Sequence, residues 1–147
     1  MKAITAISFS ELQSNTALPS FTKPAVSKEQ LVQYAQASGD LNPLHTDDNF
    51  AKSIGLDGVI AHGMLIMGFL GQYVQEIAGT ESVVHQFNMR FGAMTKPGDV
   101  ITCGGFVKQL MEIDGQPAVA LELFAEKAPG ERVGTGSAVL VCSNPLN

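Results

Sequence analysis

Asp40 and His45 stand five residues apart in the stretch "SGDLNPLH", which runs from Ser38 to His45, and Asp47 and Asp48 follow almost at once. A carboxylate and an imidazole at that separation can serve either of two ends. They can be aimed at one water, since histidine titrates closest to neutral pH and can give and take a proton there. They can equally be parts of a turn, because Asp, Asn, Gly and Pro are the residues that turns select. Asn42 and Pro43 suit a stiff loop in both cases: an Asn amide bonds nearby backbone or tethers the acid, and Pro fixes φ. Ser38 can support the acid in the same way. Asp47 and Asp48 read as helix-start acids, because negative charge is favoured at a helix N-terminus.

The segments on either side must hold that loop. Ser27 is a good N-cap with Gln30 three residues later, and Leu31, Tyr34 and Ala35 fall at helical spacing, so a helix should run from there to about Gly39. A shorter helix should begin near Asp47 and end before Gly55. The strongest helix covers Gly63 to Ala78. Its first half, "MLIMGFL", is apolar all round, which marks a buried helix. Met64, Met67, Phe69 and Leu70 are expected in the core. Gly68 and Gly71 inside it suggest close approach by a sheet or a ligand. Residues 3–10 suit a short strand or arm. After Gly79 the period changes to two, placing Val83, His85, Phe87, Met89 and Phe91 on one side of a strand. "KPGD" is a turn, and three further strands follow, separated by "IDGQ" and "APGE". The expected architecture is α+β, an antiparallel four-stranded meander wrapped around one long helix.

Bulk properties narrow the function. The chain has 147 residues, which suits a single domain over residues 1–147. Apolar residues make up 45%, charged residues 16%, and the net charge is -5 with nine Lys and Arg in all. That balance argues against nucleic-acid binding, which needs clustered cations. Cys103 and Cys142 read as buried thiols of a reducing compartment, with no zinc-type spacing around them. The N-terminus lacks the pattern of a signal peptide, and the run from Gly63 to Gly71 is far short of the ~20 apolar residues a membrane helix needs. A cytoplasmic location is the expectation.

The segment "YAQASGDLNPLHTDDNFAKSIGLDGVIAHGMLIMGFLG" resembles the hydratase-2 motif of the MaoC-like branch of the hot-dog superfamily. That pattern joins an aromatic to Ser-Gly-Asp-x-Asn-Pro-hydrophobic-His and a downstream His-Gly. "MRFGAMTKPGDVI" is similar to the strand-turn-strand that follows the central helix in such proteins. The resemblance implies a hot-dog fold, usually paired as a dimer. It implies (3R)-specific hydration of trans-2-enoyl thioesters, or the reverse dehydration, on CoA or acyl carrier protein. No cofactor is implied, since CoA or phosphopantetheine enters only as part of the substrate. It also implies a homodimer, or a heterodimer with a partner lacking the motif.

That chemistry needs a base for water, a proton for the α-carbon and a donor for the thioester oxygen. The resemblance places Asp and His of the family at Asp40 and His45. Asp40 is assigned as the main base toward water, with His45 holding the same water and exchanging its proton. The family's oxyanion donor falls on Gly63, which begins a helix with outward N–H groups and has no side chain to block the oxygen. Gly71 departs from the family, standing where some relatives carry Ser, which removes a polar contact or leaves room for the acyl chain. His62 is read as structural, holding the bend before the helix, and His85 as a partly buried packing residue. The spacing of Asp40, His45 and His62 does not suggest a metal site, and none is expected. Arg90 and Lys96 are candidates to meet a CoA or phosphopantetheine phosphate across a dimer interface. Two other functions fit the same residues: an acyl thioesterase, with water directed at the carbonyl, and a non-catalytic acyl-binding subunit.

Overall fold

The computed structural model describes residues 5–143. Its elements are β1 (Phe21–Thr22), α1 (Lys28–Ser38), α2 (Asp48–Ser53), α3 (Gly63–Ala78), β2 (Ser82–Phe91), β3 (Thr102–Ile113), β4 (Gln116–Ala128) and β5 (Glu131–Cys142), with 3-10 turns at Phe9–Glu11 and Pro43–His45.

Local signals account for the helices. Ser27 Oγ accepts the Gln30 N–H at 3.1 Å, satisfying one of the unpaired amides at the start of α1. Gly39 closes α1 in the left-handed region, φ +81°, where a residue with a Cβ would be strained. Asp47 caps α2 by accepting the Asn49 and Phe50 N–H groups. In α3, Leu65, Ile66, Phe69, Leu70, Tyr73, Val74, Ile77 and Ala78 are buried, the paired i, i+4 spacing of one apolar face. The opposite face is open, with Met64 55% exposed and Gly68 exposed beside it. The expectation of burial on every side is corrected accordingly, and Met64 leaves the core. Nor does the sheet closely approach α3 at Gly68 or Gly71. A Cβ on Gly68 would meet nothing within 4 Å, and one on Gly71 would lie 3.5 Å from the Phe87 ring, an ordinary contact.

All strand pairs are antiparallel, in the order β1-β3-β4-β5-β2. β3, β4 and β5 form a meander. Asp114 and Gly115 both have positive φ between β3 and β4, the two-residue turn whose twist suits a hairpin. β2 departs from the expected four-stranded meander, since it pairs with β5 at the far edge. The reason lies in the connection. Residues 92–101 are longer than the two to five residues of a hairpin loop. Ten residues reach up to about 33 Å, ample for the roughly 14 Å across three strand spacings.

β2 differs in register as well. A bulge between Val84 and Gln86 takes His85 out of the pairing with β5. An extra residue reverses the faces from that point. Val84, Phe87 and Met89 therefore pack on the core, while Val83 and His85, expected beside Phe87 and Met89, are exposed. The arm also differs. Residues 5–8 are not a strand; Ile7 donates its N–H to the Ile77 carbonyl and a 3-10 turn follows. Residues 3 and 4 of the expected arm lie outside the described residues. Both cysteines are buried. Burial pushes the Cys103 thiol up to about 12, so it stays protonated and inert at neutral pH. Burial likewise raises Tyr73, with the nearby Cys103 second.

The sheet curls around α3, with Ile101, Cys103, Val107, Leu121, Leu123 and Leu140 among the buried residues that meet it in one core. The loop from Gly39 to Val59 and the two short helical segments in it lie at the N-terminal end of α3.

Candidate active site

The loop carrying Asp40 is organised by a relay of side chain to main chain bonds. Ser38 Oγ accepts the Asp40 N–H at 3.2 Å, Asp40 Oδ1 accepts the Asn42 N–H at 3.3 Å, and Asn42 Oδ1 accepts the Leu44 N–H at 3.1 Å. Each is the short bond by which Ser, Asp and Asn stabilise turns. Asn42 thereby caps the 3-10 turn that starts with Pro43 and ends at His45. Ser38 and Asn42 thus shape the backbone that presents the acid and the imidazole.

His45 is 8% exposed, and its Nδ1 lies 2.7 Å from the Ile60 main-chain oxygen. A carbonyl only accepts, so Nδ1 carries the proton and donates it. In the neutral ring the lone pair is then on Nε2. That atom faces Asp40, 3.9 Å from Oδ2. This is too long for a direct hydrogen bond. One oxygen about 2.8 Å from each atom would bridge them. The Asp40 side chain is about half exposed, so it stands at the solvent side of the pair.

Gly63 is the first residue of α3. The opening N–H groups of a helix have no partner within it and carry positive potential. A Cβ at Gly63 would fall 2.9 Å from the Phe91 ring, so that ring already covers the side of Gly63 where a side chain would sit. His45 and Gly63 both line a cavity of about 280 Å³ whose other walls include Leu44, Ile66, Phe91 and Val133. Asp40 is not among the walls. The arrangement is an apolar cavity with an imidazole lone pair and a helix amino end on its walls, and a carboxylate beside the imidazole. Thr95 also lines it, 3% exposed, with a hydroxyl that has no hydrogen-bond partner among the described residues.

His62 sits deeper. It is 1% exposed, stacked on His45 with centroids 3.7 Å apart and planes at 21°, and in edge contact with Tyr34. Its Nε2–H donates to the Asp40 main-chain oxygen at 3.1 Å. Asp40, His45 and His62 thus converge, with one donor atom of each within 4.8 Å of the others, a gathering their sequence spacing does not suggest. As a metal site the set fits poorly. Ring lone pairs lie in the ring plane, and stacked rings hold them side by side instead of converging on one ion. One ring nitrogen of each histidine is also engaged by a carbonyl.

The remaining expected residues take other places. Asp47 is a cap. Asp48 does more than start a helix: Oδ1 accepts the Val59 N–H at 3.0 Å and Oδ2 pairs with Lys28 at 2.5 Å. The Lys28 ammonium and then the Val59 N–H hold the Asp48 carboxyl below its usual range, and the same pair raises Lys28. Asp48 thereby ties α1 and α2 to the segment leading to Ile60, whose carbonyl holds His45. Lys96 is paired with Asp57 at 3.1 Å, and Arg90 is exposed on β2. Ile60, Phe91 and Thr95 escaped sequence reasoning. Ile60 acts through its backbone, which no residue type betrays, and Phe91 reads as an ordinary strand aromatic.

A curled antiparallel sheet around one long helix defines a hot-dog protein, and a carboxylate–imidazole pair stands at that helix's amino end. The family follows from comparison with known proteins: the "MaoC like domain" model matches residues 14–122, and the chain belongs to that family. It is 30% identical to the (R)-specific enoyl-CoA hydratase of Aeromonas caviae over 112 residues, which cover 76% of this chain and 82% of that one. It is 32% identical over 107 residues to a fatty acid synthase beta subunit of Cochliobolus carbonum, 71% of this chain but 5% of that protein. The chain therefore spans only a small part of some curated relatives it matches. Among solved structures, an (R)-hydratase from A. caviae involved in PHA biosynthesis superposes with a TM-score of 0.75 at 27% identity, over 88% of this chain and 96% of that one. No helix among the described residues is long and apolar enough to cross a membrane.

Proposed function

We propose that the protein adds water to trans-2-enoyl thioesters of CoA or acyl carrier protein with (3R) stereochemistry, or removes it from (3R)-3-hydroxyacyl thioesters. The observation that carries this reading is the 3.9 Å gap between His45 Nε2 and Asp40 Oδ2, beside a cavity that His45 and Gly63 both line. The family supports a hydratase. The thioester carrier and the roles of individual residues are this reading's own.

Asp40 and His45 hold one water. Its oxygen adds to the β-carbon as one proton leaves to the pair, Asp40 accepting it and the His45 Nε2 lone pair exchanging it. Electron density shifts to the thioester oxygen, which the Gly63 N–H stabilises at the positive end of α3. The same proton is returned to the α-carbon. The water's hydroxyl is then on Cβ, its proton on Cα, and the pair is back in its starting state. The acid, base and oxyanion donor are all the chain's own, so CoA or phosphopantetheine is needed only as part of the substrate. Leu44, Ile66, Phe91 and Val133 offer apolar walls to the acyl group. Two copies are taken to pair, because β2 ends the sheet order with one hydrogen-bonding edge unmatched among the described residues.

The test is purified protein with crotonyl-CoA: loss of the enoyl-thioester absorbance and formation of the (R)-3-hydroxy product. Formation of the (S)-alcohol, or no turnover across a panel of enoyl chain lengths on both carriers, would overturn it.

A further inference from the structure

We propose that His62 is the positioning residue of the site, holding Asp40 by its ring nitrogen and His45 by its ring face. This rests on the assignment of the chemistry to Asp40 and His45.

Three observations converge on it. The His62 Nε2–H bonds the Asp40 main-chain oxygen at 3.1 Å, fixing the backbone from which the carboxylate projects. The His62 ring stacks on His45 at 3.7 Å, so the His45 imidazole cannot swing toward that face and keeps Nε2 turned to Asp40. His62 also immediately precedes Gly63 in the chain. One buried side chain therefore contacts both reacting residues and is joined by a peptide bond to the third group.

Packing alone does not explain a histidine here. With Nε2–H committed to a carbonyl, Nδ1 of the neutral ring carries the lone pair, and that atom is buried with no hydrogen-bond partner among the described residues. An unsatisfied buried polar atom is destabilising. A phenylalanine would fill the space and stack on His45 without that cost. What only the imidazole adds is the bond to Asp40. His62 also has no side-chain capping bond to the start of α3, so capping does not account for it.

The test uses His62→Phe, His62→Gln and His62→Ala in the full chain. Phe keeps a stacked ring and loses the donor; Gln keeps a donor and loses the stack. The expected result for Phe is a melting temperature equal to or above wild type, KM for crotonyl-CoA within about twofold, and kcat lower by about tenfold to a hundredfold, the effect of an ångström-scale misplacement. Gln should recover kcat several-fold over Ala. An unchanged kcat in Phe, or losses in kcat that follow the melting temperature, would overturn the proposal. Should the variants fail to fold, nitrogen-15 imidazole shifts of the wild-type protein decide instead. They should report the neutral His62 as the Nε2–H tautomer and His45 as the Nδ1–H tautomer. A His62 proton on Nδ1, or rapid tautomer exchange, would contradict the geometry. That readout needs no substrate: expected tautomers in a protein that hydrates nothing would sink the proposed reaction and leave the positioning geometry standing.

Discussion

His45 Nε2 and Asp40 Oδ2 face each other across 3.9 Å, and the Ile60 carbonyl, 2.7 Å from His45 Nδ1, keeps the lone pair on the facing nitrogen. Two proton acceptors turned toward one space are a poor structural contact and a good grip on a water. Asp40→Asn and His45→Ala should each lower kcat for crotonyl-CoA hydration by about 10²–10⁴-fold, the usual range for a positioned acid or base. Circular dichroism should stay near wild type in both. The melting temperature should hold in Asp40→Asn, since Asp40 is exposed and its turn bonds can be made by Asn, and fall in His45→Ala, which removes a buried ring bonded to the Ile60 carbonyl. Activity retained in both variants would remove the pair from the chemistry.

Gly63→Ala tests the amino end of α3. The new Cβ would lie 2.9 Å from the Phe91 ring, which must swing away, and Phe91 is 55% exposed and free to do so. The expected outcome is a folded protein whose turnover falls by about 10²-fold, because the new Cβ keeps the thioester oxygen away from the N–H that alanine retains, with the effect of a lost oxyanion donor. Adding Phe91→Ala should relieve the crowding without restoring turnover. Restored turnover in the double variant would assign the defect to the ring and not to the amide.

Asp48 links α1, α2 and the segment before Ile60, and its effect should depend on pH in one direction. Its carboxyl is held below the ordinary 3.8, chiefly by Lys28. A depressed carboxyl stabilises the fold fully above its unfolded value and loses that contribution as pH falls through the folded one. Asp48→Asn should therefore be less stable than wild type at neutral pH, and the difference should close only below pH 3.8. Urea melts over that range check it. A difference constant with pH would mean the contribution is not electrostatic. The raised Lys28 mirrors it: the contribution is present below 10.5 and lost as pH rises through its higher folded value.

Thr95 places a buried hydroxyl on the cavity wall with no hydrogen-bond partner among the described residues. Thr95→Val has nearly the same shape and removes the unsatisfied group. It should raise stability by about 1 kcal/mol, read as a higher melting temperature. Lower stability would show that the hydroxyl is bonded in solution.

How much of this was legible in the sequence depended on range. Ser27, Gly39, Asp47 and the 63–78 run announce α1, α2 and α3 through contacts within a few residues, and the structure has those helices where expected. The loop around Asp40 and Asn42 was legible for the same reason. β2 was not, because its place depends on how residues 92–101 cross the sheet, and its faces depend on a single extra residue at His85. The exposure of Met64 was missed because an all-apolar helix gives no sign of which side the sheet leaves open. The His45–His62 stack joins residues seventeen apart and exists only once α3 and the Asp40 loop have docked. Asp40, His45 and Gly63 do come together at one end of α3. Asp40 stands outside the cavity wall, which spacing could not foretell.

The most direct test of the central claim is where the oxygen of water goes. In water enriched in oxygen-18, turnover of crotonyl-CoA should place the label on the C3 hydroxyl of an (R)-3-hydroxybutyryl thioester that remains intact. Label in a free carboxylate with release of CoA would mean the Asp40–His45 pair directs water at the thioester carbonyl, and would contradict the account.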